Sequence, residues 1–174
     1  MVSKISHLLL LLCLATLGYG QADNAQVKFF IKNAGITVDG TFEEILVTYK
    51  FQPENLQASK FEVSIPTKTI NTGNKARDKH LRKSKYFDVE TYPNMTFIST
   101  RIEKTAEGYH LFGDLTIKKT KREVTIDFAI ETSDGATSLV GNLALDRRDY
   151  GVGKNHLILS DLVSIEILLP YSAN

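Results

Sequence analysis

The chain has 174 residues, 43% hydrophobic and 24% charged, with 21 lysines and arginines against 20 aspartates and glutamates. This composition excludes a disordered chain, which would be poorer in apolar residues and more one-sided in charge. It also argues against general nucleic-acid binding, which needs a basic excess, and the length suits one domain.

The first segment stands apart. After Lys4, an apolar run begins at Leu8-Leu9-Leu10-Leu11-Leu12 and continues through Cys13, Leu14 and Ala15. Gly18-Tyr19-Gly20 then sets small residues two apart, before the polar Gln21-Ala22-Asp23-Asn24. A basic start, an apolar centre and a small-x-small site make the pattern of a cleaved secretory leader. The run is shorter than the roughly 20 apolar residues of a spanning helix. Residues 1–20 are therefore expected to be a signal peptide and 21–174 a single exported domain, with the periplasm as its first destination and full secretion as the alternative. Cys13 follows Leu12 inside the apolar run and reads as part of the leader. The rest of the chain then has no cysteine and, without Lys4, 20 basic residues against the 20 acidic ones. Its stability must come from an apolar core rather than disulfides.

From there the dominant period is two. Val27, Phe29 and Ile31 share a parity, as do Ile45, Val47, Tyr49 and Phe51, and then Phe61, Val63 and Ile65. Met95 to Ile102 is rich in β-formers but apolar on both parities, so pattern alone does not orient it. Tyr109, Leu111, Gly113, Leu115 and Ile117 alternate again, followed by Val124, Ile126, Phe128 and Ile130. Gly141, Leu143 and Leu145 come next, and Val163, Ile165, Ile167 and Leu169 close the series. Alternation puts an apolar face inward and a polar face out. The count is about eight strands, and the turns at Thr105–Gly108, Lys118–Thr120 and Ser133–Ala136 are short enough to join antiparallel neighbours.

Between Ile70 and Pro93 the period is lost. Asn74 suits the cap of a short surface helix over 75–82, and Tyr86, Phe87 and Val89 should dock nearby. An insert of this kind covers a barrel end or lines a ligand entrance. The fold class expected is therefore all-β: an eight-stranded antiparallel barrel, with a two-sheet sandwich as the alternative, and one short helical insert between the third and fourth strands. Its inner parity is rich in Phe, Ile, Val and Leu. An interior for a polar ligand would need converging polar groups, so this one suits an apolar ligand or none.

Chemistry-bearing motifs are sparse. His80, His110 and His156 fall in no metal-ligand spacing, and there is no nucleophile elbow, phosphate loop or dinucleotide fingerprint. No metal, cofactor or catalytic residue is expected. Asp78 and His80 lie two apart and point in different directions on a helix, while His110, Asp114 and Asp127 sit on the polar parity of their strands. The basic stretch Lys68, Lys75, Arg77, Lys79, Arg82, Lys83 and Lys85 reads either as a solvated face or as a surface in transient contact with anionic headgroups.

The central segment carries a resemblance. Ser64-Ile65-Pro66-Thr67 runs to Asn71-Thr72-Gly73-Asn74, then Arg77-Asp78-Lys79-His80-Leu81, then Tyr86-Phe87-Asp88-Val89 and Tyr92-Pro93-Asn94-Met95-Thr96-Phe97. Together with Gly113-Asp114-Leu115-Thr116-Ile117 and Asp146-Arg147-Arg148-Asp149-Tyr150-Gly151, this resembles the YceI-like family of bacterial periplasmic proteins. The resemblance implies a lipocalin-like barrel of eight strands whose interior takes a polyisoprenoid chain, such as a quinone tail. The departures are Lys119 where relatives have glycine, Met95 for isoleucine, and no early tryptophan. On this reading the function is binding, sequestration or transport of a long apolar lipid, without catalysis. The alternative is a structural or stress-related envelope protein with a filled barrel. The lipid contacts expected are Phe29, Ile31, Val47, Tyr49, Phe61, Val63, Leu111, Leu115, Ile126, Phe128, Ile165 and Ile167, some of them serving as end plugs. Arg77, Asp78 and His80 are expected to brace the insert or to meet a headgroup.

Overall fold

The computed structural model describes residues 20–21 and 24–172. The leader expected over residues 1–20 lies, but for Gly20, outside the described residues. Among the described residues the chain is all-β and antiparallel, with one α-helix. Its strands are β1 (Gly20–Gln21), β2 (Gln26–Asn33), β3 (Ile36–Phe42), β4 (Leu46–Lys50), β5 (Lys60–Pro66) and β6 (Ile70–Asn71). After helix α1 (Lys75–Leu81) come β7 (Asn94–Lys104), β8 (Tyr109–Ile117), β9 (Thr120–Ser133), β10 (Ala136–Asp146) and β11 (Leu159–Pro170). One sheet holds them in the order β1-β4-β5-β7-β8-β9-β10-β11-β2-β3-β6.

Among the described residues the expected count of eight becomes eleven, and the helix falls between β6 and β7, after the expected strand around Phe61–Ile65 and before the one from Met95 to Ile102. Two of the additions, β1 and β6, are two-residue pairings at the sheet's ends that no periodicity could reveal. The third, β3, is a full strand paired to β2 through a two-residue turn, with Asn33 opposite Ile36. Ala34 and Gly35 both take positive φ there, 49° and 81°, the mirror-image turn that matches the twist of a hairpin. Alanine is an unusual residue for that conformation, which hides the hairpin from a reading based on Asn-Gly or Asp-Gly. The turn at Asp134-Gly135 has the same signs, 51° and 78°, and the expected residue types.

The sheet curls but does not close by hydrogen bonds. Among the described residues no ladder joins the β1–β4 edge to the β3–β6 edge. The seam is bridged by the chain itself, which passes from β3 into β4 through residues 43–45 and from β5 into β6 through a single 3-10 turn at Thr67–Thr69. Thr67 is buried there and donates from Oγ1 to the carbonyls of Tyr92 (2.8 Å) and Pro93 (3.0 Å). The architecture is thus a curled half-barrel rather than the closed barrel expected.

A bulge in β7 sets which of its side chains face inward. In β7 the register shifts between Ser99 and Arg101, and a bulge of one residue exchanges the faces beyond it. Met95 and Phe97 are buried on one side of the shift and Ile102 on the other, while Ile98 is exposed. That is why this strand shows apolar residues on both parities. Opposite Ser99, Gly113 is required by close approach: a Cβ there would stand 2.5 Å from Phe97 Cζ and 2.6 Å from the carbonyl oxygen of Ile98.

Candidate functional site

The inward faces enclose one cavity of about 480 Å³. Its wall is built from ten strands, among them Val47 of β4, Val63 of β5, Ile70 of β6, Phe97 of β7, Leu111 and Leu115 of β8, Ile126 of β9, Leu143 of β10 and Ile165 of β11. The two ends differ in construction. One is plugged by aromatic rings around Phe51, whose ring lies 5.2 Å from Tyr109, 5.4 Å from Phe128, 5.7 Å from Tyr171 and 5.9 Å from Phe61. Edge-on and tilted contacts of this kind add to the stabilisation from burial alone.

The other end is covered by the insert. Leu81, Tyr86 and Phe87 pack on a second apolar cluster formed by Phe42, Ile70, Met95, Ile117, Tyr150 and Val152, with Phe87 edge-on to Phe42 at 6.1 Å. Asn74 caps α1, its Oδ1 accepting from the amides of Ala76 and Arg77. The segment after α1 is tied down by Arg82, which donates to the carbonyls of Lys68 (2.7 Å) and Ile70 (3.0 Å).

Eleven of the twelve residues expected inside line this cavity: Phe29, Ile31, Val47, Phe61, Val63, Leu111, Leu115, Ile126, Phe128, Ile165 and Ile167. Tyr49 does not. It stacks on Phe61 at 5.6 Å and donates its hydroxyl to the carbonyl of Pro170 at 3.0 Å, so it closes the aromatic end. Burial and the neighbouring Tyr171 push its phenol above the ordinary tyrosine range.

The three polar candidates divide. Asp78 is buried and accepts from both the amide (3.0 Å) and the hydroxyl (2.6 Å) of Thr72, fastening the helix to the strand before it. Arg77 grips the same residue, donating to Thr72 Oγ1 (2.8 Å) and to its carbonyl (2.7 Å), and it also reaches the cavity wall. His80 lines the cavity beside Tyr86, ring to ring at 4.9 Å. His110 instead pairs with Asp127 at 2.6 Å on the outer face.

Pattern reading missed a buried ion pair. Arg147 is 4% exposed and donates to the carbonyls of Ser160 (2.9 Å), Val152 (2.8 Å) and Lys154 (3.2 Å) and to Asp161 (2.8 Å). It organises the long segment before β11, which brings His156 and Ile158 to the cavity. The four partners converge from residues 152–161, a placement no periodicity describes.

A curled antiparallel sheet wrapped around an apolar cavity, plugged by aromatics at one end and covered by a helical insert at the other, is built to enclose an apolar guest. The chain belongs to the YceI-like family, whose domain matches residues 21–170. A UPF0312 protein of Yersinia enterocolitica is 34% identical over 108 residues, 62% of this chain and 56% of that relative. A UPF0312 protein of Pectobacterium atrosepticum is 32% identical over the same spans. The chain thus matches little more than half the length of these curated relatives. Among solved structures, BcnA of Burkholderia cenocepacia is similar over 87% of this chain and 99% of its own, at 26% identity and a TM-score of 0.79. A polyisoprenoid binding domain from Saccharophagus degradans shares the fold, with 15% identity, a TM-score of 0.66 and coverage of 90% and 98%.

Proposed function

We propose that this protein binds one long apolar lipid, a polyisoprenoid or the tail of an isoprenoid quinone, inside the curled sheet, and sequesters or carries it in the cell envelope without chemical change. The observation that carries this reading is the cavity itself. Its wall is mainly apolar, and most of its polar lining, Arg77, His80, Tyr86, Arg147 and His156 among it, lies beneath the insert and the segment before β11, with Gln26 toward the aromatic end. A guest with a greasy tail and one polar end fits that distribution. The family membership and the shared fold with a polyisoprenoid binding domain support it.

The energetics suit a tail. At roughly 30 Å³ per methylene-sized group, the cavity of about 480 Å³ holds on the order of fifteen such groups. Burying each contributes about 0.8 kcal/mol, and association costs roughly 4–15 kcal/mol. Only a chain that fills most of the space binds well, so selection is by length and width. In this reading Arg77 and His80 meet the polar end, and Asp78 holds the helix that presents them. Export to the periplasm follows from the leader-like first 20 residues, and an envelope compartment is where a water-insoluble lipid needs a carrier.

The test is mass spectrometry of an organic extract of protein purified without detergent from its own host. One isoprenoid per chain is the expected result. An empty extract from folded protein would replace this reading with a filled, structural barrel.

A further inference from the structure

Four large apolar side chains are exposed at one rim of the molecule: Ile36 (71%), Leu157 (104%), Ile158 (53%) and Leu162 (59%). They belong to two segments held together. The amide of Ala34, in the β2–β3 turn, donates to the carbonyl of Ile158 at 2.7 Å, and Leu159 pairs with Asn33. This rim is also the edge of the cavity, because Asn33, His156 and Ile158 are exposed yet line it.

Beside the apolar rim lies a cationic depression. Lys85, Lys118 and Lys154 surround it with Ser84, Gly151 and Gly153. Lys118 follows β8 in a turn with φ of 54° and donates to the carbonyls of Ser84 (3.2 Å) and Gly151 (3.0 Å). The amide of Gly153 donates to the carbonyl of Lys85 at 2.9 Å, so the depression is tied into one piece. Among the described residues, none of these three lysines makes an ion pair, whereas the nearby Arg147 and Arg148 are neutralised by Asp146 and Asp161. Lys154 stands three residues before Leu157, so the chain joins the unpaired charge to the exposed apolar rim.

We infer that this rim docks on the surface of an anionic lipid bilayer, with Leu157, Ile158 and Ile36 entering the interface and Lys85, Lys118 and Lys154 meeting headgroup phosphates. An apolar side chain in the interface and a cation at the phosphates are the two attractions that hold peripheral proteins on membranes. Charge complementarity selects the bilayer over a neutral partner. The inference rests on the carrier reading and extends it. Docking at the edge of the cavity lets an apolar chain pass between bilayer and protein without crossing water.

The experiment compares the protein, as its host delivers it, with two variants differing only at exposed positions: Leu157→Glu with Ile36→Glu, and Lys85→Glu with Lys154→Glu. Flotation with phosphatidylglycerol–phosphatidylethanolamine vesicles and with phosphatidylcholine vesicles is the readout, at low and high salt. The parent should float with the anionic vesicles, less so at high salt. Each lysine is worth about fivefold in affinity near such a surface, and both variants should float at least tenfold less. Binding of a dansylated undecanoic acid reports the cavity and should be unchanged in every variant. Equal flotation of parent and variants, or no preference for anionic vesicles, would each overturn docking. Saturable probe binding alongside such a result leaves the carrier reading standing. Anionic flotation that the variants lose, without any probe binding, sinks the carrier reading and keeps the docking surface.

Discussion

Filling the cavity from its wall is the sharpest way to ask whether the space is used. Val63 is the position to change. It sits in β5 between Val47 of β4 and Phe97 of β7, faces inward and lines the cavity. Val63→Trp adds about seven heavy atoms, which displace roughly four to six methylene-sized groups of a guest at about 0.8 kcal/mol each. The loss is about 3–5 kcal/mol, or on the order of a hundred- to a few-thousandfold in affinity. The same change strains a wall that is already packed, at about 1–3 kcal/mol of stability. Thr48→Trp is the control: Thr48 lies on the exposed face of the neighbouring strand, opposite Glu62. Fluorescence titration with a dansylated fatty acid reads the affinity, and urea unfolding confirms the fold. A folded Val63→Trp protein that binds as the parent does, or a Thr48→Trp protein that loses binding equally, would refute the assignment of the interior.

Two further changes test the frame around the site. Arg147→Met removes a buried cation and leaves three carbonyls without their donor, while Asp161 keeps only Arg148. Breaking a buried pair costs about 3–5 kcal/mol, and the partial exposure of Asp161 puts the expectation near the lower end. Urea unfolding should show about 3 kcal/mol, and a loss under about 1 kcal/mol would mean that the segment before β11 holds without Arg147. Tyr49→Phe should cost about 1 kcal/mol through the lost bond to Pro170. Because burial raises the Tyr49 phenol above the ordinary tyrosine value of 10.0 in the folded state, its contribution is complete below pH 10 and is lost as pH rises through the higher folded value. The parent should therefore lose stability in strong alkali more steeply than Tyr49→Phe, and superimposable alkaline unfolding curves would contradict the role given to that hydroxyl.

The sequence by itself determined what depends on local spacing. Period-two alternation located the strands that build the cavity wall, because a pleated strand turns successive side chains to opposite faces and β8, for example, buries Tyr109, Leu111, Gly113 and Ile117 on one parity. Asn74 announced the helix, because its side chain can accept the first free amides wherever a helix begins. The ordered motif from Ser64 to Phe97 carried the family. The tertiary structure decided what depends on long-range geometry. The bulge in β7 assigned Ile102 to the interior and Ile98 to solvent, since a one-residue insertion reverses the faces only once a partner strand exists to count against. Strand β3 became visible only as the partner of β2, and Tyr49 became a plug rather than a wall because of where Pro170 ends the last strand. Arg147 reads in the chain as one more surface charge. Folding surrounds it with acceptors from residues 152–161, because a buried cation persists only where several carbonyls and a carboxylate replace its water.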